Sequence, residues 1–336
     1  MSSFFSKKPE PQAFDPIKDL PDLSGKVILV TGGNSGIGFN TVQQLARKGA
    51  KVYIAGRSEA RVGAAIERLR AEGLEPGNGA LEWVELDLSD PRKAKEGADR
   101  FVARETRLDV LVHNAAVMNG DYVLNDDGII DSMATNCFSP VVFTQALLPL
   151  LRKTAQEPDS DVRIVWVSTT TMSMLKGRDI HFRSIEEVNE KFGMHPMQGL
   201  LRYANSKLAA ILAAKKLQEK FDDEGLPITI ISLHPGAVWT EGVAAFPNFH
   251  WPILGALFTA VARRMMLTAE VGAHPSVIAA ASPAVKADRE KYKNGFVWQP
   301  VGALGDPPTP QCNDEKLANE LWATTEALLR QWDIRV

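Results

Sequence analysis

"KVILVTGGNSGIGFNTVQQLARKG" runs from Lys26 to Gly49, and its three parts decide the fold. "KVILV" is a short apolar run of strand length, the pattern of a strand buried on both faces. "TGGNSGIG" (Thr31–Gly38) is a turn whose glycines let the backbone bend tightly and come close to a ligand. "FNTVQQLARKG" sets Val42, Leu45 and Ala46 at helical spacing, with Gly49 as the stop. Strand, glycine turn and helix in that order aim backbone N–H groups at an anion such as a pyrophosphate, where the helix dipole favours negative charge. A plain glycine turn is the competing reading, and the strand before it and helix after it weigh against that.

Outward from this unit the chain alternates. Further strands are read at Lys51–Gly56, Leu81–Leu86, Asp109–His113, Val162–Ser168, Pro227–Leu233 and Gly295–Gln299. Helices are read between them, among them Asp131 to Leu151, Tyr203 to Phe221, Ala269 to Ala281 and a closing one from Asn313 to Trp332. Such alternation predicts an α/β fold: a single Rossmann-type, doubly wound parallel sheet of about seven strands with helices on both faces. Residues 1–22 read as an N-terminal arm and 23–336 as one domain. Two stretches break the pattern, residues 172–202 and 241–268, and long irregular segments are usually binding loops.

Composition excludes several classes. The 336 residues are 45% hydrophobic and 24% charged with a net charge of −3, ordinary for a chain that buries a full core. No basic stripe suggests nucleic acid. Two distant cysteines, Cys137 and Cys312, point to a reduced intracellular chain, and no Cys/His cluster has metal-ligand spacing. The N-terminus lacks the apolar core of a signal peptide. "WPILGALFTAVA" (Trp251–Ala262) is too short and interrupted to span a bilayer. A cytoplasmic location is therefore expected, with weak attachment to a membrane surface as the alternative.

The second strand ends in Gly56-Arg57, where this fold usually carries an acid for the ribose 2′-hydroxyl. Arg57 suits a 2′-phosphate through charge-assisted hydrogen bonds, so NADP(H) is expected over NAD(H). "YANSK" puts Tyr203 and Lys207 one helical turn apart. A neighbouring ammonium would favour the phenolate and lower the phenol's pKa, and a tuned phenol can exchange a proton with a carbonyl oxygen.

Over roughly Leu23 to Thr240 the chain resembles the short-chain dehydrogenase/reductase family. It carries the family's TGxxxGxG pattern as Thr31-Gly32, Gly36 and Gly38. The resemblance implies that Gly32, Asn34, Ser35, Gly36, Ile37 and Gly38 hold the cofactor. It implies that Asp87 and Leu88 of "LDLSD" flank the adenine. "HNAA" (His113–Ala116) is similar to the family's Asn-Asn-Ala-Gly, implying that Asn114 fixes the central sheet and that Ala115 and Ala116 line the cofactor. Here His113 and Ala116 depart from the pattern. Asn136 matches the helix asparagine of a proton relay, and "HPGAVWT" implies nicotinamide-side contacts from Pro235, Gly236, Val238 and Thr240.

The family's serine position falls in "IVWVSTTTM" (Ile164–Met172), as the second residue after the last apolar position of the strand. That residue is Thr169. Three readings stand: Thr169 replaces the serine, Ser168 does so after a one-residue shift, or the chemistry differs from ordinary carbonyl reduction. The implied mechanism is hydride transfer between nicotinamide and a carbonyl carbon. Tyr203 is the acid, Lys207 tunes it and holds the ribose, Thr169 positions the carbonyl, and Asn136 holds a relay water.

The irregular segments are rich in apolar side chains. One contains Met172, Met174, Leu175, Phe182, Met194, Met197 and Leu200. The other contains Val243, Phe246, Phe249, Trp251, Leu254, Leu257 and Phe258. If they cap the site, the substrate is a sizeable lipophilic ketone, aldehyde or alcohol; local core is the competing reading for each. The resemblance is nearest to the retinol-dehydrogenase-like and WW-domain-oxidoreductase-like branch and to fungal secondary-metabolite reductases. It also implies homodimers or higher oligomers through the helices of Asn136 and Tyr203. Two rivals remain, a non-catalytic NADP(H)-binding sensor and an enzyme using the scaffold for a non-redox or coupled step.

Overall fold

Eight strands form one sheet: Val27–Thr31 (β1), Lys51–Gly56 (β2), Leu81–Glu85 (β3), Val110–His113 (β4), Val162–Val167 (β5), Ile228–Leu233 (β6), Phe296–Trp298 (β7) and Ala303–Gly305 (β8). The structure, a computed structural model, describes residues 14–118, 121–240, 264–299 and 302–335. The strand order is β3-β2-β1-β4-β5-β6-β7-β8, parallel except for the β7–β8 pair. Seven strands stand close to where the sequence puts them. β8 is the addition: three residues, mostly exposed, too short to show an alternation.

The side-chain period of two divides each central strand between two cores. Val27 and Leu29 of β1 face one core, Ile28 and Val30 the other. In β5, Val162, Ile164 and Trp166 face the first, and Val165 and Val167 the second. Helices Gly36–Arg47 (α1), Glu59–Glu72 (α2) and Ala269–Ala281 (α6) cover the second core. Pro91–Val102 (α3), Ser139–Ala155 (α4), Gln198–Asp223 (α5) and Glu315–Gln331 (α7) cover the first. Arg163 shares the β5 face of Val165 and is buried without loss of partners. Its guanidinium donates to Ala279 O at 3.1 Å and Ser282 O at 2.9 Å at the C-terminus of α6, and it pairs with Asp161. A cation there meets the negative end of the helix dipole.

Three differences from the sequence reading matter. The segment taken as an arm is structured from residue 14: Pro16–Asp19 is a helical turn capped by Asp15, Leu20 is buried, and Phe14 meets the His274 ring edge-on at 5.2 Å. Residues 1–13 lie outside the described residues. Helix α5 starts at Gln198, five positions before Tyr203, and Met197 at its N-cap makes no side-chain capping bond, so no capping signal marked the start. Residues 172–202 contain short helical pieces: most of a 3₁₀ turn at Thr170–Leu175, a helical turn at Ile185–Val188, and the first turn of α5.

That segment is fastened to α7. The Thr324 hydroxyl donates to Phe182 O at 2.5 Å, and His181 contacts Glu320 at 3.1 Å. Helix α7 in turn packs along α5, burying Leu317, Leu321 and Leu328. Among the described residues, the continuous helical stretch Asp131–Ala155 is apolar and long enough to cross a membrane, but 72% of its apolar window is buried inside the protein. It is the core helix of the first layer. The segment Trp251–Ala262, like all of residues 241–263, lies outside the described residues.

Candidate active site

The sheet order reverses between β1 and β4, and a crevice opens there beyond the carboxyl ends of the strands. It is a cleft of about 1140 Å³ running from the β1 turn past β2 to α5. Its floor is tied by Thr31 and Asn114. Thr31 Oγ1 accepts from the N–H groups of Asn114 and Ala115, each at 3.0 Å. Asn114 Nδ2 donates to Thr31 O at 2.9 Å and to Gly32 O at 3.2 Å. This asparagine therefore couples the ends of β1 and β4, as the sequence implied.

Gly32 and Gly36 hold φ of +64° and +55°, the left-handed region that favours glycine. Gly38 is needed for another reason: a Cβ there would stand 2.4 Å from both Asn114 Nδ2 and Gly32 O. Gly38 does not line the cleft; it lets α1 pass tightly over the Asn114 amide. Gly32, Asn34, Ser35, Gly36 and Ile37 do line the cleft. The Ser35 side chain makes no capping bond to α1, so the helix N-terminus facing the cleft is not capped by a side chain. The cradle fits a pyrophosphate.

Arg57 is exposed at the cleft wall beside Gly56 and Ser58. Arg61, one turn into α2, joins it on that wall. The sequence reading passed over Arg61, although its i+4 spacing from Arg57 was visible. Asp87 and Leu88 also line the wall, with Asp87 accepting from Ser89 N at 3.0 Å and from Lys93 Nζ at 3.2 Å.

At the other end, Tyr203, Lys207, Ala115, Ala116 and Thr169 face the cleft together with Pro235, Gly236, Val238 and Thr240. Lys207 Nζ donates to Val167 O at 2.9 Å and lies 6.0 Å from the Tyr203 ring centre. Burial pushes Lys207 down to about 8 and the Tyr203 phenol up to about 12. The expected lowering of the phenol is therefore reversed in the protein alone: loss of hydration outweighs the ammonium at this distance. A phenol so raised is held as a proton donor. His113, in the place of the family's first asparagine, is buried, bonded to Thr144 Oγ1 at 2.7 Å and tilted over Trp166 at 4.3 Å. Burial, with Lys207 adding to it, pushes His113 down to about 3, so it is neutral.

Asn136 does not line the cleft. It sits in a π-helical turn, Ala134–Phe138, and its side chain is used inside the protein. Oδ1 accepts from Val117 N at 2.8 Å; Nδ2 donates to Val117 O and Ser206 Oγ, both at 2.9 Å. Both amide hydrogens are thereby committed, so the amide has none left to donate to a relay water. Ser206 Oγ donates on to Tyr203 O at 2.8 Å, so Asn136 ties the loop after β4 to the turn of α5 that carries Tyr203 and Lys207. Sequence reading missed Ser206, whose signal was its place within "YANSK".

Ser168, Thr169, Thr170 and Thr171 all line the cleft, with different burial and partners. Ser168 is buried, with Oγ against Met172 Sδ at 3.9 Å. Thr169 is half-buried and its Oγ1 lies 2.6 Å from Thr171 Oγ1. Of the apolar side chains expected to cap the site, Met197 and Leu200 line the cleft with Pro196. Met172, Leu175 and Phe182 are fully buried core, and Met194 is fully exposed. The ordered packing of this segment on α5 and α7 consumed them. Residues 243–258, which carry the second apolar set, lie outside the described residues; Met266 lines the cleft.

Residues 26–178 match the family model for short chain dehydrogenase. A short-chain dehydrogenase/reductase of Armillaria gallica is 41% identical over 94% of this chain and 96% of its own length. The chain belongs to the short-chain dehydrogenase/reductase family. This is an oxidoreductase family. Human retinol dehydrogenase 14 is 32% identical over 91% of this chain and 87% of its own length, so this short-chain dehydrogenase/reductase has relatives in both animals and fungi. The RhlG/NADP complex of Pseudomonas aeruginosa shares the fold, with a TM-score of 0.61 and 23% identity over 83% of this chain and 96% of that one. Among the described residues, no group of three or more His, Cys, Asp or Glu could hold a metal, and Cys137 and Cys312 are free and buried.

Proposed function

We propose that this short-chain dehydrogenase/reductase is an NADP(H)-dependent carbonyl reductase acting on a lipophilic ketone or aldehyde, or on the corresponding alcohol in reverse. The observation that carries the reading is a phenol and an ammonium one turn apart on α5, both lining a cleft whose other end is a glycine cradle with two arginines. A bound nicotinamide would supply the hydride to the carbonyl carbon. Tyr203 gives its proton to the forming alkoxide, Thr169 donates a hydrogen bond to the same oxygen, and Lys207 holds its charge close by. Asn136 acts behind the site, holding the Val117 loop and α5 in register. Met197, Leu200 and Met266 make the substrate end apolar, which supports a lipophilic substrate. A role in fungal secondary metabolism and a cytoplasmic location belong to the same proposal. Self-association is proposed only on surfaces of α4 and α5 that α7 leaves free.

NADP(H) preference rests on Arg57, with Arg61 beside it; the RhlG complex, named with NADP, supports the choice. The test is oxidation of NADPH and NADH by the purified protein with decanal, acetophenone and a decalone. Consumption of NADPH in preference to NADH supports the reading, and no turnover with any of the three sinks it in favour of a sensor or a non-redox step. Arg57→Ala is expected to weaken NADPH by roughly tenfold or more while leaving NADH nearly unchanged, because one charge-assisted bond to a phosphate contributes about 1.5–3 kcal/mol. An unchanged NADPH/NADH ratio would remove Arg57 from the assignment.

The burial of these two groups sets a pH profile. Tyr203, raised to about 12, stays protonated through the working range, whereas Lys207, lowered to about 8, loses its charge above that pH. Reductive kcat/KM is therefore expected to be level below pH 8 and to fall above it, with a limiting slope of about tenfold per pH unit. A rate that rises through pH 9 would contradict the role given to the ammonium.

A further inference from the structure

The cluster "STTT" contains three hydroxyls that the reaction described above does not use, and that of Thr171 meets Thr169 directly. Thr171 lines the cleft, half-buried, two residues after Thr169. Its backbone N–H donates to Thr169 Oγ1 at 3.2 Å, and its own Oγ1 lies 2.6 Å from Thr169 Oγ1, where either oxygen could be the donor. Thr169 is thus the N-cap of the 3₁₀ turn Thr170–Leu175, and Thr171 meets it through both backbone and side chain.

A threonine hydroxyl has one hydrogen and two acceptor lone pairs. A substrate carbonyl oxygen can only accept. For Thr169 to bond that oxygen, its single hydrogen must point at the substrate, and it then has none for Thr171. The 2.6 Å contact between the two hydroxyls survives only if Thr171 is the donor. The polarity of the chain is forced: Thr171 N–H and Thr171 O–H both donate to Thr169 Oγ1, and Thr169 O–H donates to the carbonyl. Both lone pairs of Thr169 are then filled. Accepting two hydrogen bonds polarises a hydroxyl and strengthens the one it donates. It also fixes the rotor, which in a lone threonine is free to turn away.

We propose that Thr171 is a positioning residue for the reduction: it orients the Thr169 hydroxyl so that its hydrogen is presented to the substrate carbonyl. This rests on Thr169 having the role given it under Proposed function. It also explains how a threonine can stand at the serine position. The β-branched side chain has restricted rotamers, and the neighbouring hydroxyl selects the one that aims Oγ1 into the cleft. Thr171 needs no contact with substrate. Its effect appears in the chemical step, because the bond it strengthens grows as negative charge develops on the oxygen.

The experiment is a double-mutant cycle on Thr169→Val and Thr171→Val, with Thr171→Ser as the conservative rescue and Ser168→Ala as a control. The assay is NADPH oxidation with whichever of decanal, acetophenone and the decalone turns over fastest. Thr171→Val is expected to lower kcat about tenfold, with NADPH affinity unchanged, and Thr171→Ser to restore it to within about threefold. In the cycle, Thr171→Val is expected to cost little more once Thr169 is already valine, since its effect passes through that hydroxyl. Thr171→Ala repeats the deletion with less bulk, should the valine variant not fold. The proposal is overturned if Thr169→Val is damaging but Thr171→Val and Thr171→Ala keep kcat within twofold. It is overturned also if the two losses multiply independently. A harmless Thr169→Val, with or without a damaging Ser168→Ala, instead defeats the earlier assignment of Thr169.

Discussion

Tyr203→Phe is expected to lower reductive turnover by roughly a hundred- to ten-thousandfold, while NADPH affinity stays within about threefold. The variant removes one oxygen and keeps the ring that walls the cleft, so the loss belongs to the proton and not to packing. The measurement is kcat by NADPH absorbance beside a binding titration by cofactor fluorescence. Loss of both together would mean that Tyr203 matters for cofactor binding and not for proton delivery. Turnover within tenfold of the parent would remove the phenol as the acid altogether.

Asp109→Ala is expected to cost about 3 kcal/mol of folding stability and to lower Tm by roughly 4 °C, with the cleft untouched. Asp109 lies just before the central strand β4, at the end of the sheet opposite the site, and is 1% exposed. Its carboxylate accepts from Val27 N at 2.9 Å, from Lys26 Nζ at 3.1 Å and from Arg107 at 2.7 and 2.9 Å. Removing it orphans a buried backbone N–H at the start of β1 and takes a carboxylate partner from Lys26 and Arg107, of which Arg107 keeps Glu157 at 3.1 Å. Lys26 and Arg107 keep about a third of their side chains exposed, and water recovers part of the loss. Asp109→Asn keeps an acceptor for Val27 and is expected to cost less. The same contacts fix a pH dependence. Burial alone would raise this carboxyl, but the bonds from Arg107, Val27 and Lys26 outweigh it and hold the pKa below the ordinary range. Its contribution is therefore full above the unfolded pKa of about 3.9 and is lost as pH falls through the lower folded value. Equal melting of parent and variant at pH 7 would show that the network contributes nothing.

The dinucleotide half of the site was legible because its signals are local. Gly32 and Gly36 occupy a left-handed turn between a strand and a helix, and Arg57 follows the second strand directly. Tyr203 and Lys207 were legible because one helical turn separates them. The substrate half was not. Met172, Leu175 and Phe182 look in the sequence like Met197 and Leu200, yet the first three are core and the last two line the cleft. Only the seating of this segment against α5 and α7 distinguishes them. Gly38 belongs to the family pattern, but its reason, the Asn114 amide lying 2.4 Å from where a Cβ would be, is a contact between distant segments.

What the sequence by itself determined is the alternation of strands and helices, the glycine cradle, the pair on α5 and membership of the reductase family. Periods of two and 3.6 residues, turn chemistry and motif spacing are written in windows of a few residues, so they survive without the fold. What only the tertiary structure decided depends on residues far apart. The Asn136–Ser206 bond joins positions 70 residues apart and takes the asparagine amide out of the cleft. Burial, supplied by the whole surrounding core, turns the expected lowering of the Tyr203 phenol into a rise. The hydroxyl run "STTT" is local in sequence, but its sorting is not. Ser168 and Thr169 both line the cleft, but Ser168 is buried with its hydroxyl against Met172 Sδ while Thr169 stays half-buried, just past the end of a strand fixed on both sides by β4 and β6.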